Sequence, residues 1–137
     1  MRNKVRIPWA VGLAFFFVAL SFSLSFGAEK KPVRFKVVNT FQVDLPGVEK
    51  AQLIHFEMDP GAEVKYFKVV SEVLWVNEGE FTYKYRIGKL HKKHGSKNVL
   101  RKKGDIWWQD EGTVIDVSNK GSGVGVMRGI QFIRKKK

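Results

Sequence analysis

Beyond residue 28, this 137-residue chain is expected to be all-β, and three observations predict it. No stretch there places apolar residues at i, i+3, i+4 and i+7 over three turns, the pattern of an amphipathic helix. Short runs rich in Val, Ile, Phe, Tyr and Trp recur instead. The clearest alternates, with Phe81, Tyr83, Tyr85 and Ile87 on one face and Thr82, Lys84 and Arg86 on the other. Successive strand side chains point to opposite faces, so this run suits a strand with one side buried and one in water. Turn chemistry separates the runs at Leu45-Pro46-Gly47, Asp59-Pro60-Gly61, Asn77-Glu78-Gly79 and Asn119-Lys120-Gly121. Many short strands with regular turn signals indicate a sandwich or small barrel.

The chain opens differently. Residues 1–28 carry three cations (Arg2, Lys4, Arg6), an uncharged apolar run from Ile7 to Phe26, and Ser25, Gly27 and Ala28 before Glu29. That order is the basic region, apolar region and small-residue cleavage site of an export signal. A retained anchor over residues 7–26 is the alternative, because the run is nearly long enough to span a bilayer; serines and Gly27 thin its apolar character and disfavour it. Either way, the folded part is expected to be periplasmic or secreted.

Residues 29–137 then make one small domain. Strands are expected at Arg34 to Val38, Ala51 to Met58, Val64 to Val69, Val73 to Val76 and Phe81 to Ile87. Further strands follow at Asn98 to Arg101, Asp105 to Trp108, Thr113 to Val117, Gly123 to Met127 and Ile130 to Arg134. The stretch Gly88-Lys89-Leu90-His91-Lys92-Lys93-His94-Gly95-Ser96-Lys97 cannot be written as a strand and reads as a polar hairpin tip. Lys135 to Lys137 form a basic tail, expected to be mobile. His55, alternating with Leu53 and Glu57, reads as a structural histidine. Trp107 and Trp108 are adjacent, so one should face in and the other out. The outward one is expected to pack beneath a loop, or else could stack on a sugar or anchor at a membrane surface.

The chain has no cysteine, which excludes disulfides and lipid attachment at a cysteine. Formal charge is +12, and subtracting the three cations of the first segment leaves +9. Such a surplus favours anionic partners, or solubility alone. Nucleic acid is not expected, since no recognition motif accompanies the charge and export argues against it.

Two glycine-framed segments carry a family resemblance. The first runs from Gly61 to Gly79, with Tyr66, Lys68 and Glu72 inside it; the second runs from Gly104 through Gly112 and Ile115 to Asn119. Their spacing resembles the two halves of the cupin signature, Gly, His-x-His, Glu, Gly and then Gly, Pro-x-Gly, His, Asn. The resemblance covers about residues 51 to 134. It implies a double-layered jelly-roll barrel, with a homodimer as the default assembly. Tyr66 and Lys68 stand in the His-x-His places, Ile115 in the last His place and Asp110-Glu111 in the Pro-x place.

The resemblance further implies that Tyr66, Lys68, Glu72 and Ile115 face the barrel interior. A transition metal needs three or four imidazole, thiolate or carboxylate donors, and of these positions only Glu72 offers a good one. No metal and no cofactor are therefore expected. Lys68 is expected to pair with Glu72 in the metal's stead, unless it reaches the rim and leaves Glu72 solvated. His91 and His94 invite a metal reading, but Lys89, Lys92, Lys93 and Lys97 around them disfavour a cation. Lys89, His91, Lys92, Lys93 and His94 read better as an anion-facing patch.

Three functions remain open on the sequence. The first is an exported cupin-like protein that binds a small sugar-like or acidic ligand at the barrel mouth, with Tyr66 and Lys68 orienting it. Another is a metal-independent isomerase or lyase using Tyr66, Lys68 and Glu72 as acid and base groups. The third is a basic surface adaptor for an anionic cell-envelope polymer. A metal-dependent dioxygenase ranks last because the three histidine positions are lost.

Overall fold

The computed structural model describes residues 32–137, so the expected export segment lies outside the described residues. Nine strands and one short helix follow in chain order. They are β1 (Val33–Phe41), β2 (Val48–Met58), β3 (Glu63–Lys68), β4 (Ser71–Glu78), β5 (Glu80–Ile87), α1 (Lys89–His94), β6 (Asn98–Lys102), β7 (Ile106–Gln109), β8 (Val114–Ser118) and β9 (Gly125–Arg134). Every strand pairing among them is antiparallel. A five-stranded sheet runs β1-β2-β9-β4-β7 and a four-stranded sheet β3-β8-β5-β6, so sequence neighbours such as β3 and β4 lie in different layers. This is the double-layered jelly roll that the sequence implied.

The core lies between the layers, and the pairing register names its rungs. Across the five-stranded sheet the inward residues line up as Ile54, Gly129, Leu74 and Trp107, then as Phe56, Met127 and Val76. From the opposite layer come Phe81, Tyr83 and Tyr85 of β5, with Ile115 and Val117 of β8, all buried. Phe56 and Phe81 meet between the sheets with ring centroids 6.1 Å apart. Rings of this size dominate the apolar area removed from water.

The motif glycines serve as turns. Gly79 sits at φ 69° between β4 and β5, and a Cβ there would stand 2.9 Å from the Val124 carbonyl oxygen. Only glycine tolerates both conditions cheaply. Asn119 closes the second segment from a buried position: its amide donates to the carbonyls of Met58 (2.9 Å) and Gly123 (2.8 Å) and its oxygen accepts from the Gly121 N–H (2.9 Å).

Four expectations are corrected. The stretch after β5 is not a bare hairpin tip, because Lys89–His94 forms a helical turn between Gly88 and Gly95. The two strands expected at Gly123 to Met127 and Ile130 to Arg134 are one, β9, which passes straight through Gly129. The tail is fixed at its start, where the Lys135 N–H donates to the Gly47 carbonyl at 2.9 Å. The fourth concerns β3. Val64 pairs with Val117 and Phe67 with Ile115, so Lys65 and Tyr66 together oppose the single residue Asp116. This is a β-bulge, and Tyr66 adopts φ 55°, a left-handed conformation uncommon for a non-glycine residue.

Candidate functional site

The bulge decides which side chains reach the barrel. It shifts the alternation by one, so Phe67 turns toward the interior beside Ile115. Tyr66 is left outside at 67% exposure, and Lys68 is exposed as well. Of the four residues expected inside, only Glu72 and Ile115 are buried there. The Lys68–Glu72 pair is not formed.

Outside the barrel, Tyr66 belongs to a surface cluster instead. Its N–H donates to Asp116 Oδ1 at 3.0 Å, and the Arg86 guanidinium lies 4.1 Å from its ring centroid. Arg86 also grips Asp116 with two hydrogen bonds, Nε to Oδ1 at 2.7 Å and Nη2 to Oδ2. Desolvation pushes the Asp116 carboxyl up, but Arg86 and the Tyr66 N–H outweigh it and hold it below the usual value of 3.8. The cluster holds the bulge in place. Asp116→Ala is expected to cost about 2 kcal/mol near neutral pH, since it leaves the bulge N–H and Arg86 without their acceptor. The parent's advantage comes from a depressed carboxyl, so it is present above the unfolded value and is lost as pH falls through the folded one. Melting curves of parent and variant at neutral and strongly acidic pH check this.

Glu72 has different partners. In register across the five-stranded sheet stand Gln52, Gln131, Glu72 and Gln109, a polar rung next to the apolar Ile54–Trp107 rung. Glu72 is 4% exposed, and its two oxygens accept from Gln109 Nε2 (2.8 Å) and Gln131 Nε2 (3.0 Å). Burial pushes its pKa up to about 7, against the downward pull of the two amides. Its charge in turn adds to desolvation in holding the Tyr83 hydroxyl well above its ordinary value. That hydroxyl donates to Met127 Sδ at 3.2 Å.

An aromatic chain continues from this rung. Tyr83 meets Trp107 edge-on at 5.3 Å and stacks on Tyr85 at 5.8 Å, and Tyr85 stacks on His94 of α1 at 5.6 Å. Arg101 lies 4.5 Å over the Trp107 ring and donates from Nη2 to the Tyr85 hydroxyl at 3.0 Å. Desolvation raises the Tyr85 pKa, with Arg101 opposing it. Among the described residues three buried polar atoms of this cluster have no protein partner: Trp107 Nε1, Gln109 Oε1 and Arg101 Nε. Such atoms are costly when left unpaired and indicate water or a polar ligand.

The residues do not fit a transition metal. Glu72 is the one metal-type donor at the signature positions, both its oxygens are taken by amides, and Ile115 offers nothing. Among the described residues no three His, Cys, Asp or Glu side chains converge. The expected anion-facing patch is also split. His91 and His94 turn in against β5, with His91 Nδ1 2.7 Å from the Tyr85 carbonyl oxygen, while Lys89, Lys92 and Lys93 stay exposed. Desolvation, then Lys93 and Arg101, depress the His94 pKa.

Sequence reasoning missed Gln109, Gln131 and Arg101 as site residues. The available signal was parity: Gln109 is two residues from Trp107, and Arg101 pairs with Phe81 on the face that alternation assigns to the core.

Comparison with solved structures places this arrangement. A cupin superfamily protein from Desulfitobacterium hafniense superposes with TM-score 0.53 at 14% identity, over 82% of this chain and 86% of that one. A cupin domain from Bordetella pertussis gives 0.55 at 18% identity, over 77% and 98%. The fold is that of the cupins. The Cupin_2 domain of an XRE family transcriptional regulator from Enterobacter cloacae also shares it, with TM-score 0.52 at 14% identity over 76% and 98%. No family model and no curated protein sequence matches the chain. With the cupin frame established, Glu72 and Ile115 occupy signature positions inside the barrel, and Tyr66 and Lys68 have left it.

Proposed function

We propose that this is an exported cupin-fold protein that binds a small sugar-like or acidic ligand within the barrel, without a transition metal, and works as a homodimer. The observation that carries the reading is the set of unpaired buried atoms, Trp107 Nε1, Gln109 Oε1 and Arg101 Nε, in the cluster that Gln109 joins to the Glu72 carboxyl. A polyol offers hydroxyls that both donate and accept, which suits a donor, an acceptor and a guanidinium in one neighbourhood. Arg101, rather than Lys68, is the cation available to an acidic substituent. The isomerase or lyase reading is weaker, because its acid and base groups are separated: Tyr66 and Lys68 are outside and Glu72 is inside.

Thermal-shift screening against sugar acids and phosphosugars tests the proposal. A ligand at about a hundred times its Kd is expected to stabilise the protein by about 2.7 kcal/mol. That shift should vanish in Arg101→Met and persist in Lys68→Met. No stabilisation across the panel overturns the ligand reading, and one equivalent of iron, nickel, zinc or manganese in protein purified without added metal overturns the metal-free part.

A further inference from the structure

A second feature lies on the outer face of the five-stranded sheet, where the 45–47 turn and the ends of β4, β7 and β9 frame a cleft of about 330 Å³. Leu45, Pro46, Val48, Trp108, Phe132 and Arg134 line it. Trp108 is the outward member of its pair, 46% exposed, and its ring stands 5.8 Å from that of Phe132 at 41°. The indole is not loose: its Nε1–H donates to Asp110 Oδ1 at 2.8 Å, which fixes the ring as one wall. An aromatic of this size left open to water beside a concavity, and held in one orientation, is organised for contact rather than for the core.

The charge around the cleft is paired at its wall and basic at its tail. Arg134 lies in its wall, and the backbone bond from Lys135 to Gly47 anchors the start of the Lys135–Lys137 tail at the turn that forms another part of it. Glu111 pairs with Arg134, and Asp110 is occupied by Trp108 and, at 3.4 Å, by Lys89. Both acids near the cleft are thus matched, Glu111 through Arg134 Nε, while the tail lysines are exposed and supply the surplus positive charge. Apolar aromatic rings complement the C–H faces of a pyranose, and flanking cations complement its carboxylates.

We propose that this cleft binds an acidic oligosaccharide, a pyranose chain bearing carboxylates, with Trp108 and Phe132 as the stacking platform and Arg134 and the tail as the anion contacts. The site does not depend on the barrel interior. It lies on the outer face of the sheet, with Trp108 open to solvent, so a ligand reaches it from outside.

Calorimetry with a galacturonate tetrasaccharide tests it, alongside a neutral cellotetraose and anionic phosphatidylglycerol vesicles. The acidic tetrasaccharide is expected to bind, and Trp108→Ala and Arg134→Gln should each weaken it about tenfold. Arg101→Met, which disables the barrel site, should leave it unchanged, so failure of one site is distinguishable from failure of the other. Raised salt should weaken binding. The proposal is overturned if the tetrasaccharide does not bind, if Trp108→Ala and Arg134→Gln bind as the parent does, or if cellotetraose binds equally well. Tighter binding to the vesicles identifies a lipid surface instead and also overturns it. So does conversion of a dimer to a monomer by Trp108→Ala in sedimentation, which makes the face an interface between copies.

Discussion

Glu72→Gln is expected to melt well above the parent at about pH 8 and close to it at about pH 4.5. The buried carboxyl has its pKa raised from 4.5 to about 7, chiefly by desolvation. A folded state that binds a proton more tightly than the unfolded chain is favoured where the proton is present. The group's contribution is therefore complete below 4.5, declines as pH rises toward about 7, and stays lost above it. A shift of that size corresponds to roughly 2–4 kcal/mol at alkaline pH, on the order of 10 °C for a domain of this length. A neutral glutamine removes the penalty. It also keeps the rung joined, because its carbonyl can accept from one amide and its NH2 can donate to Gln109 Oε1, which has no protein partner.

Other groups do not blur this result. His94, depressed mainly by desolvation, contributes stability that grows as pH rises through the unfolded value of 6.5, but parent and variant share it. Asp116 and Glu57 are both held below their ordinary values and titrate under the window. Equal differences in melting temperature at the two pH values would show that Glu72 stays ionised throughout, and that its two amides outweigh its burial.

The same carboxyl is buried in the barrel against two neutral amides, Gln109 and Gln131. Neutral amides stabilise an anion far less than a cation would, so the group is poised near neutrality. A protonated Glu72 could donate a hydrogen bond to a ligand oxygen, and an ionised one could only accept.

Much of the fold was legible. Alternation over residues 81–85 works because β5 has one buried face, whereas a register shift after Tyr85 turns Ile87 out to 59% exposure against expectation; the glycine frame works because the φ of Gly61, Gly79, Gly104 and Gly112 is positive in each case. The bulge was not legible. Nothing in Val64-Lys65-Tyr66-Phe67 marks Tyr66 as left-handed, since what holds it there is Asp116, fifty residues away. That one residue of slip took Tyr66 and Lys68 out of the site. The partners of Glu72 were hidden for a related reason: Gln109 and Gln131 lie 37 and 59 residues downstream and meet it only through register. Helix α1 spans six residues, too few for periodicity to register.

The break expected between Met127 and Ile130 is absent, and Gly129 marks a close approach within β9 instead. It sits inward on β9, between Ile54 and Leu74 in its rung. A Cβ at Gly129 would stand 2.4 Å from Leu74 Cδ2 and 2.7 Å from the Val73 carbonyl oxygen. Leu74 could swing its tip, but the Val73 carbonyl belongs to a strand paired on both sides and cannot retreat without dragging the sheet. Gly129→Ala is therefore expected to destabilise by about 3 kcal/mol, the upper part of the overpacking range. Gly123→Ala is the control, since a Cβ there meets nothing within 4 Å and its change should stay within about 0.5 kcal/mol. Leu74→Ala should cost about 2–5 kcal/mol through its cavity. The double variant should lose less than the sum of the two, because trimming Leu74 relieves one of the two clashes, and more than Leu74→Ala alone, because the backbone clash remains. Urea denaturation of the parent and the four variants reads all three comparisons. If Gly129→Ala proves as mild as Gly123→Ala, then β9 and β4 are not in the register that builds both this rung and the polar one beside it.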